Sequence, residues 1–167
     1  MSIGLFYSTT GGATKRAAEA VALCLGKDNV KVHDIAVVPA TRLSEYRRLV
    51  FGIPTMGDGE LSDEWESWID AIREKDVKGK TVALFGLGDQ EGFPDTFVDA
   101  LGIVAEWLLE CGAEIVGEWP IDGYDYIQSR AEKDGMFAGL VLDEDNQSEK
   151  SSGRIISWVS MVRERFL

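Results

Sequence analysis

Short apolar segments alternate with segments of helical periodicity along most of this chain, and this alternation limits its fold more than any other feature. Residues 1–7 are almost wholly apolar, which is typical of a strand covered on both faces of a parallel sheet. Residues 14–25 then place apolar side chains at helical spacing and end before Gly26. The two segments and the polar loop between them therefore predict one βα unit.

The βα unit recurs four more times along the chain. Further strands are predicted at residues 30–35, 49–53, 81–86 and 115–118, and further helices at 41–46, 62–72 and 97–110. Residues 119–137, rich in Asp, Tyr and Gly, interrupt the pattern before a resumed strand at 138–142 and a last helix at 152–166. The pattern predicts one α/β domain, residues 1–167, with an open five-stranded parallel sheet and helices on both faces.

The charge of the chain excludes several kinds of partner. It has 29 Asp and Glu against 17 Lys and Arg, a net charge of -12. Nucleic-acid phosphates and anionic membrane surfaces would be repelled by most of such a molecule. Because neither a signal peptide nor an apolar run of membrane-spanning length is visible, we predict a cytoplasmic protein with basic partners.

Cysteine and histidine offer little chemistry. Cys24 and Cys111 are too few for a four-thiolate iron–sulfur cluster and too far apart for a dithiol motif, so we predict two small buried hydrophobes. His33 is the only histidine and lies in a strand-like alternation, which favours a structural role over that of a base. We therefore predict no metal site.

The loop after the first predicted strand suits a phosphate group. Ligands of such sheets bind beyond the carboxyl ends of the strands, where helix N-termini present unpaired N–H groups. Hydroxyl and glycine residues make up most of this loop: Ser8, Thr9, Thr10, Gly11, Gly12, Ala13 and Thr14. It matches neither the Walker pattern nor the glycine pattern of dinucleotide sites. A polar turn in which a threonine caps the helix explains the loop equally well.

Two further loops, residues 54–60 and 87–95, are rich in glycine and lack Lys and Arg. Each offers one soft or flat apolar side chain, Met56 or Phe93, beside many backbone polar groups. This combination suits a planar heterocycle held between the two side chains. The alternative is that Met56 and Phe93 only cover the end of the sheet. The convergence of three such loops at one edge favours a ligand.

These segments resemble long-chain flavodoxins from residue 3 to the C-terminus. The resemblance rests on residues 4–7 (GLFY), 54–55 (PT), 59–61 (GEL), 88–90 (GDQ), 122–125 (DGYD) and 142–147 (LDEDNQ). It implies that residues 119–137 are the insertion that splits the fifth strand in long-chain members.

The resemblance also implies a function. The protein would be a monomeric, low-potential one-electron carrier. Its noncovalently bound FMN would alternate between semiquinone and hydroquinone, and its partners would be redox proteins with basic docking surfaces. The implied cofactor-binding residues are Ser8, Thr9, Thr10, Gly11, Gly12, Ala13, Thr14, Pro54, Thr55, Met56, Gly57, Asp58, Gly59, Leu87, Gly88, Asp89, Phe93, Thr96, Asp99 and Asp145. An FMN-dependent NAD(P)H:quinone reductase on the same fold is the alternative, but these loops lack room and positive groups for a nucleotide.

Three positions depart from the family pattern. Gly11 stands where the motif T-x-T-G-x-T usually has a hydroxyl residue, Met56 where Trp is common, and Phe93 where Tyr is usual. The residues Met56, Gly57 and Asp58 resemble instead the loop of clostridial short-chain members. Both type II and type II' turns are accessible to Gly57 and Asp58, so we hypothesise that the peptide between them flips when the cofactor is reduced.

Carboxylates crowd the predicted edge of the sheet: Asp58, Glu60, Asp63, Asp89, Glu91, Asp95, Asp99 and Asp145. Their negative charge disfavours a second electron on the cofactor and predicts a low potential for that step. The same charge is expected to attract basic redox partners.

Overall fold

A parallel sheet lies at the centre of the computed structural model, which describes residues 2–166. Its first five strands are β1 (Ile3–Tyr7), β2 (Val30–Asp34), β3 (Arg48–Pro54), β4 (Thr81–Leu87) and β5 (Glu114–Val116). They run in the order β2-β1-β3-β4-β5, and all neighbours pair in parallel. This confirms the predicted sheet. Met1, where the first strand was predicted to begin, lies outside the described residues.

The fifth position of the sheet is shared by two strands. After β5 the chain forms a small antiparallel sheet from β6 (Trp119–Pro120), β7 (Glu132–Lys133) and β8 (Met136–Phe137). It then returns as β9 (Leu140–Leu142). β5 pairs with the first half of β4 and β9 with its second half. The fifth strand is therefore split by the insertion, residues 119–137, as predicted. β9 starts later than predicted because Ala138 still bonds to the insertion, at the carbonyl of Ala131.

Helices cover both faces of the sheet. They are α1 (Ala13–Leu25), α2 (Asp63–Ala71), α3 (Glu74–Val77), α4 (Asp99–Glu110) and α5 (Ser148–Phe166). α1 and α5 pack on one face and α2, α3 and α4 on the other. The helix predicted at 41–46 is a six-residue 3-10 helix, Ala40–Glu45, and the short α3 was not predicted. α2 begins after Ser62, whose hydroxyl accepts the Trp65 N–H at 3.3 Å.

Strand residues alternate between the two cores. Val50 faces α1 and α5 whereas Phe51 faces α2 and α4, and both are fully buried. His33 has the structural role predicted for it, since its Nε2 lies 2.8 Å from the Tyr46 hydroxyl and its ring stacks on Phe6. The prediction for the cysteines was wrong. Cys24 and Cys111 are free thiols and only partly buried, because both lie near helix C-termini at the margin of the cores.

Tyr124 fastens the insertion to the main sheet. Its hydroxyl donates to the Val141 carbonyl at 2.6 Å and accepts the Trp119 indole N–H at 2.9 Å. The guanidinium of Arg154 lies 4.1 Å from the centre of its ring. Burial raises the pKa of Tyr124 to about 12. Because the folded protein favours the neutral phenol, Tyr124 stabilises the fold fully below pH 10 and loses this contribution as the pH rises towards 12.

Tyr124→Phe should therefore flatten the alkaline loss of stability. Between pH 10 and 12 the wild type is expected to lose about 2 to 3 kcal/mol more of its unfolding free energy than the variant. Urea unfolding at several pH values measures this difference. An identical pH dependence in the two proteins would contradict the assignment of this titration to Tyr124.

None of the helices described between residues 2 and 166 combines the length and the apolar character needed to cross a membrane.

Candidate functional site

The carboxyl ends of the central strands open onto a cavity of about 360 Å³. Its walls include predicted site residues from all three loops: Thr10, Ala13, Thr14, Pro54, Thr55, Met56, Gly57, Leu87, Gly88, Asp89 and Phe93. Two predicted residues outside these loops, Thr96 and Asp145, also line it. The volume falls in the range of small-molecule sites. The structure therefore brings together the three loops that the sequence analysis selected.

Other predicted residues do not line the cavity. Ser8 is fully buried and its hydroxyl lies 2.8 Å from that of Ser62. Thr9 turns its hydroxyl back to accept the Gly12 N–H at 3.2 Å. Asp99 is buried below the edge, where it accepts the Arg130 N–H at 2.8 Å. These side chains support the loops from behind rather than face the cavity.

Gly11, Gly12, Asp58 and Gly59 also lie off the cavity wall, but they shape its loops. Gly11 and Gly12 have φ of 80° and 91°. Residues 54–60 and residues 87–95 are called the ring loops below. Asp58 accepts the Thr96 hydroxyl at 2.9 Å and so joins the first ring loop to the residue that directly follows the second. A Cβ on Gly59 would lie 2.9 Å from the Cβ of Thr96, so only glycine allows this close approach.

Unpaired amides meet the cavity at the start of α1. The first bond within the helix runs from the Arg16 N–H to the Gly12 carbonyl at 3.0 Å, so the N–H groups of residues 13–15 precede the helical ladder. Gly12 occupies the cap position, and among residues 2–166 no side chain caps this end of the helix. The alternative of a threonine cap is therefore wrong, and the free amides suit an anion.

Arg16 adds a positive charge that the sequence analysis did not assign to this loop. Its Nη1 lies 3.1 Å from the place that a Cβ on Gly12 would occupy. One helical turn brings the exposed side chain back over the loop, although residues 8–14 themselves contain no Lys or Arg.

The loop after β3 closes as a tight hairpin. The N–H and carbonyl groups of Met56 and Glu60 exchange two hydrogen bonds of 2.8 Å. Gly57 has φ of 46°, whereas Asp58 does not have a positive φ. Of the two turns that the sequence permits, the structure therefore shows the one that places positive φ at Gly57, as type II' requires.

Thr55 carries an unsatisfied polar atom at the cavity wall. Its hydroxyl oxygen is buried and has no hydrogen-bond partner among residues 2–166. Its N–H is already bound to the Leu87 carbonyl at 3.1 Å. Since buried polar atoms nearly always have a partner, a ligand with a polar edge fits this position.

Three carboxylates line the cavity. Asp89 accepts the N–H of Gly92 at 2.8 Å and the side-chain amide of Asn146 at 2.8 Å, and these bonds lower the pKa of Asp89. Burial, followed by the charge of Asp89, raises the pKa of Asp145. Both side chains line the cavity together with Glu144. These carboxylates repel anions, whereas the free amides at the start of α1 attract them.

Three residues of the wall were not predicted from the sequence: Phe97, Val98 and Glu144. Glu144 could have been found, because it lies in the motif of residues 142–147 already quoted. Val98 could not have been found, because it reaches the cavity wall through a left-handed backbone conformation, with φ of 49°, directly before α4.

The family model described as flavodoxin matches residues 5–158. The chain belongs to the flavodoxin family. Flavodoxins of a Nostoc species and of a Picosynechococcus species are 44% and 42% identical to it over 164 and 165 residues. These matches cover 98% of this chain and 96% and 97% of the relatives. A crystal structure of Fusobacterium nucleatum flavodoxin bound to flavin mononucleotide is 28% identical, with a TM-score of 0.89, and the match covers 98% of each chain.

The family and the fold are therefore those that the sequence resemblance implied. Flavodoxins are electron-transfer proteins and not enzymes, so the alternative of a quinone reductase is not supported. They interact with redox partner proteins. The long-chain class fits the insertion and stays a prediction.

Proposed function

We propose that this chain carries single electrons between redox proteins on a noncovalently bound FMN. The observation that carries the proposal is a single cavity with free helix amides at one end and the side chains of Met56 and Phe93 at the other. FMN has a phosphate at one end and a planar ring at the other, which matches these two parts of the cavity. It supplies one-electron chemistry when bound. Family membership and the FMN-bound relative support the same ligand.

The phosphate end is proposed to use the loop before α1. Amides of residues 13–15 and the hydroxyls of Thr10 and Thr14 would donate to the phosphate oxygens, and the helix dipole would favour its charge. Arg16 would contribute from outside the loop. Ser8, Thr9, Gly11 and Gly12 would hold the loop open for the phosphate rather than provide side-chain contacts.

The ring end is proposed to lie between the ring loops. Met56 and Phe93 would cover the two faces of the ring, and the Thr55 hydroxyl would gain the partner that it lacks. Phe93 is 41% exposed, which leaves an edge of the site accessible to a partner protein. Pro54, Leu87 and Gly88 would supply backbone contacts along the floor, while Asp58, Gly59, Thr96 and Asp99 hold the loops together.

Stepwise reduction of the FMN-loaded protein tests the proposed function. We expect two resolved one-electron steps, the second at a clearly lower potential. A single two-electron step, or rapid turnover of a pyridine nucleotide with a quinone, would speak for an enzyme instead.

Asp145→Asn should raise the potential of the second step. The substitution removes one negative charge from the cavity wall. At about 10 Å from the flavin, and with a dielectric constant close to that of water, this charge changes the potential by roughly 20 mV. Asp28→Asn makes the same chemical change in the loop between α1 and β2, at the opposite edge of the sheet, and should leave the potential unchanged. Equal shifts in both variants would show that net charge alone acts.

Partner docking is proposed to depend on the acidic edge. Asp58, Glu60, Glu91 and Asp95 are exposed in the ring loops, and exposed Glu144 lines the cavity, so a basic surface on the partner is expected to dock there. The rate constant for electron transfer to a small basic haem protein should fall roughly tenfold between low and physiological salt. A salt-independent rate would contradict electrostatic docking.

We also propose that the protein works as a monomer in the cytoplasm. The free thiols of Cys24 and Cys111 fit a reducing compartment.

A further inference from the structure

Gln90 is only 4% exposed although it lies in a ring loop, three residues before Phe93. Its side-chain amide donates to Asp143 Oδ2 at 2.7 Å, and its backbone N–H donates to the same oxygen at 3.0 Å. Asp143 is fully buried and directly follows β9. Gln90 therefore attaches the ring loop to the end of β9, next to the bond from the Gly88 N–H to the Leu142 carbonyl at 3.1 Å.

The other end of the same amide reaches the insertion. Gln90 Oε1 accepts the backbone N–H of Asp125 at 2.7 Å. The side chain thus uses both its donor and its acceptor to join the ring loop, the end of β9 and the insertion. Since a buried amide without partners is costly, each of the three segments depends on the positions of the other two.

Backbone bonds extend this junction beyond Phe93. The N–H groups of Ile127 and Gln128 donate to the Pro94 carbonyl at 2.8 and 3.0 Å, and the Phe97 N–H donates to the Gln128 carbonyl at 3.2 Å. The insertion is therefore bonded to the ring loop on both sides of Phe93. It cannot shift without moving the segment that forms one wall of the cavity.

Asn146 holds the carboxylate of Asp143 in place. Its N–H and its side-chain amide donate to the two oxygens of Asp143 at 3.1 and 2.9 Å, and the same amide also donates to Asp89 at 2.8 Å. A fully buried carboxylate is tolerated only when such donors surround it. Asp143 is thus a fixed point to which Gln90 attaches the ring loop and the insertion.

We infer that Gln90 is a positioning residue for the cofactor ring, which locks the ring loop and the insertion to Asp143 so that the insertion strengthens FMN binding without contacting FMN. This inference rests on the proposed function. The insertion then supports the cavity wall, and Gln90 is the side chain that links both of them to Asp143.

Removal of the Gln90 amide tests the inference. Gln90→Ala deletes the side chain, and Gln90→Met keeps its approximate volume without its hydrogen bonds. In both variants the dissociation constants for FMN and for riboflavin should rise by the same factor, roughly 5- to 30-fold, because the phosphate end is untouched. A purely structural role would lower the melting temperature and leave both dissociation constants of the folded protein unchanged, which would overturn the inference.

Gln128→Ala is the matched control. Gln128 is exposed and joins the ring loop through its backbone, so removal of its side chain should change neither dissociation constant. Equal losses in the control and in the Gln90 variants would overturn the inference.

Hydrogen exchange of the wild-type apoprotein tests the same contact without variants or FMN. The Asp125 amide lies in an exposed stretch, yet it should exchange at least about tenfold more slowly than the neighbouring Asp122 amide. An unprotected Asp125 amide would overturn the attachment even if FMN binds as proposed. Conversely, a wild type that takes up no FMN but protects Asp125 would overturn the proposed function and, with it, the role in cofactor binding.

Discussion

Replacing Ala13 by Glu is expected to weaken FMN binding about 100-fold or more and to leave riboflavin binding nearly unchanged. Ala13 is the first residue of α1 and lines the cavity. A carboxylate there would face the phosphate dianion at short range, and this repulsion amounts to about 3 kcal/mol at about 5 Å with an effective dielectric constant near 40. Riboflavin has no phosphate and escapes the repulsion. Fluorescence titration of the apoprotein with each flavin measures both effects.

Ala13→Gln is the control for this change. It adds almost the same volume without the charge, so its effect on FMN affinity should be much smaller. Glu at the first position of a helix is favourable to the helix dipole, so the apoprotein itself should lose no stability. Equal losses for FMN and riboflavin in Ala13→Glu would show that the phosphate does not lie at the start of α1.

Gly102→Ala is expected to destabilise the protein by about 3 kcal/mol, although alanine normally stabilises a helix interior by about 1 kcal/mol relative to glycine. Gly102 lies within α4, directly beneath the insertion. A Cβ there would lie 2.4 Å from the carbonyl carbon of Arg130 and 2.7 Å from the Ala131 nitrogen. Because these atoms belong to the backbone, the insertion must shift away from α4, and the Asp99 bond to the Arg130 N–H is lost. Urea unfolding measures the change.

Gly153→Ala provides a control of opposite sign. Gly153 lies in α5, is exposed, and a Cβ there would meet no atom within 4 Å. The substitution should stabilise the protein by roughly 0.5 to 1 kcal/mol through helix propensity alone. If Gly102→Ala were as favourable as Gly153→Ala, the insertion would not be packed against α4.

The fold could be predicted because its evidence is local. Val50 faces one core and Phe51 the other, so residues 49–54 of β3 are apolar without a break, and this is visible in a short segment of sequence. The start of the helix predicted at residues 62–72 could be found because Ser62 and its partner, the Trp65 N–H, are only three residues apart. The cavity followed from topology, since parallel strands bring their loops to one edge.

The contacts of individual site residues could not be predicted, because their partners are distant in sequence. Ser8 bonds to Ser62, 54 residues away, and Asp99 to Arg130, 31 residues away. Nothing local to either residue shows that its polar side chain turns away from the cavity. Gln90 belongs to the same class, since its anchor Asp143 is 53 residues away. Sequence pattern thus selected the three loops that line the cavity, whereas tertiary packing decided which of their side chains face it.

Equilibrium titration of the apoprotein with FMN tests the central claim most directly. The account predicts that one equivalent of FMN binds per chain, that its fluorescence is quenched between Met56 and Phe93, and that riboflavin binds clearly more weakly because it leaves the amides of α1 without a phosphate. An apoprotein that takes up no FMN, or that binds FMN no better than riboflavin, would contradict it.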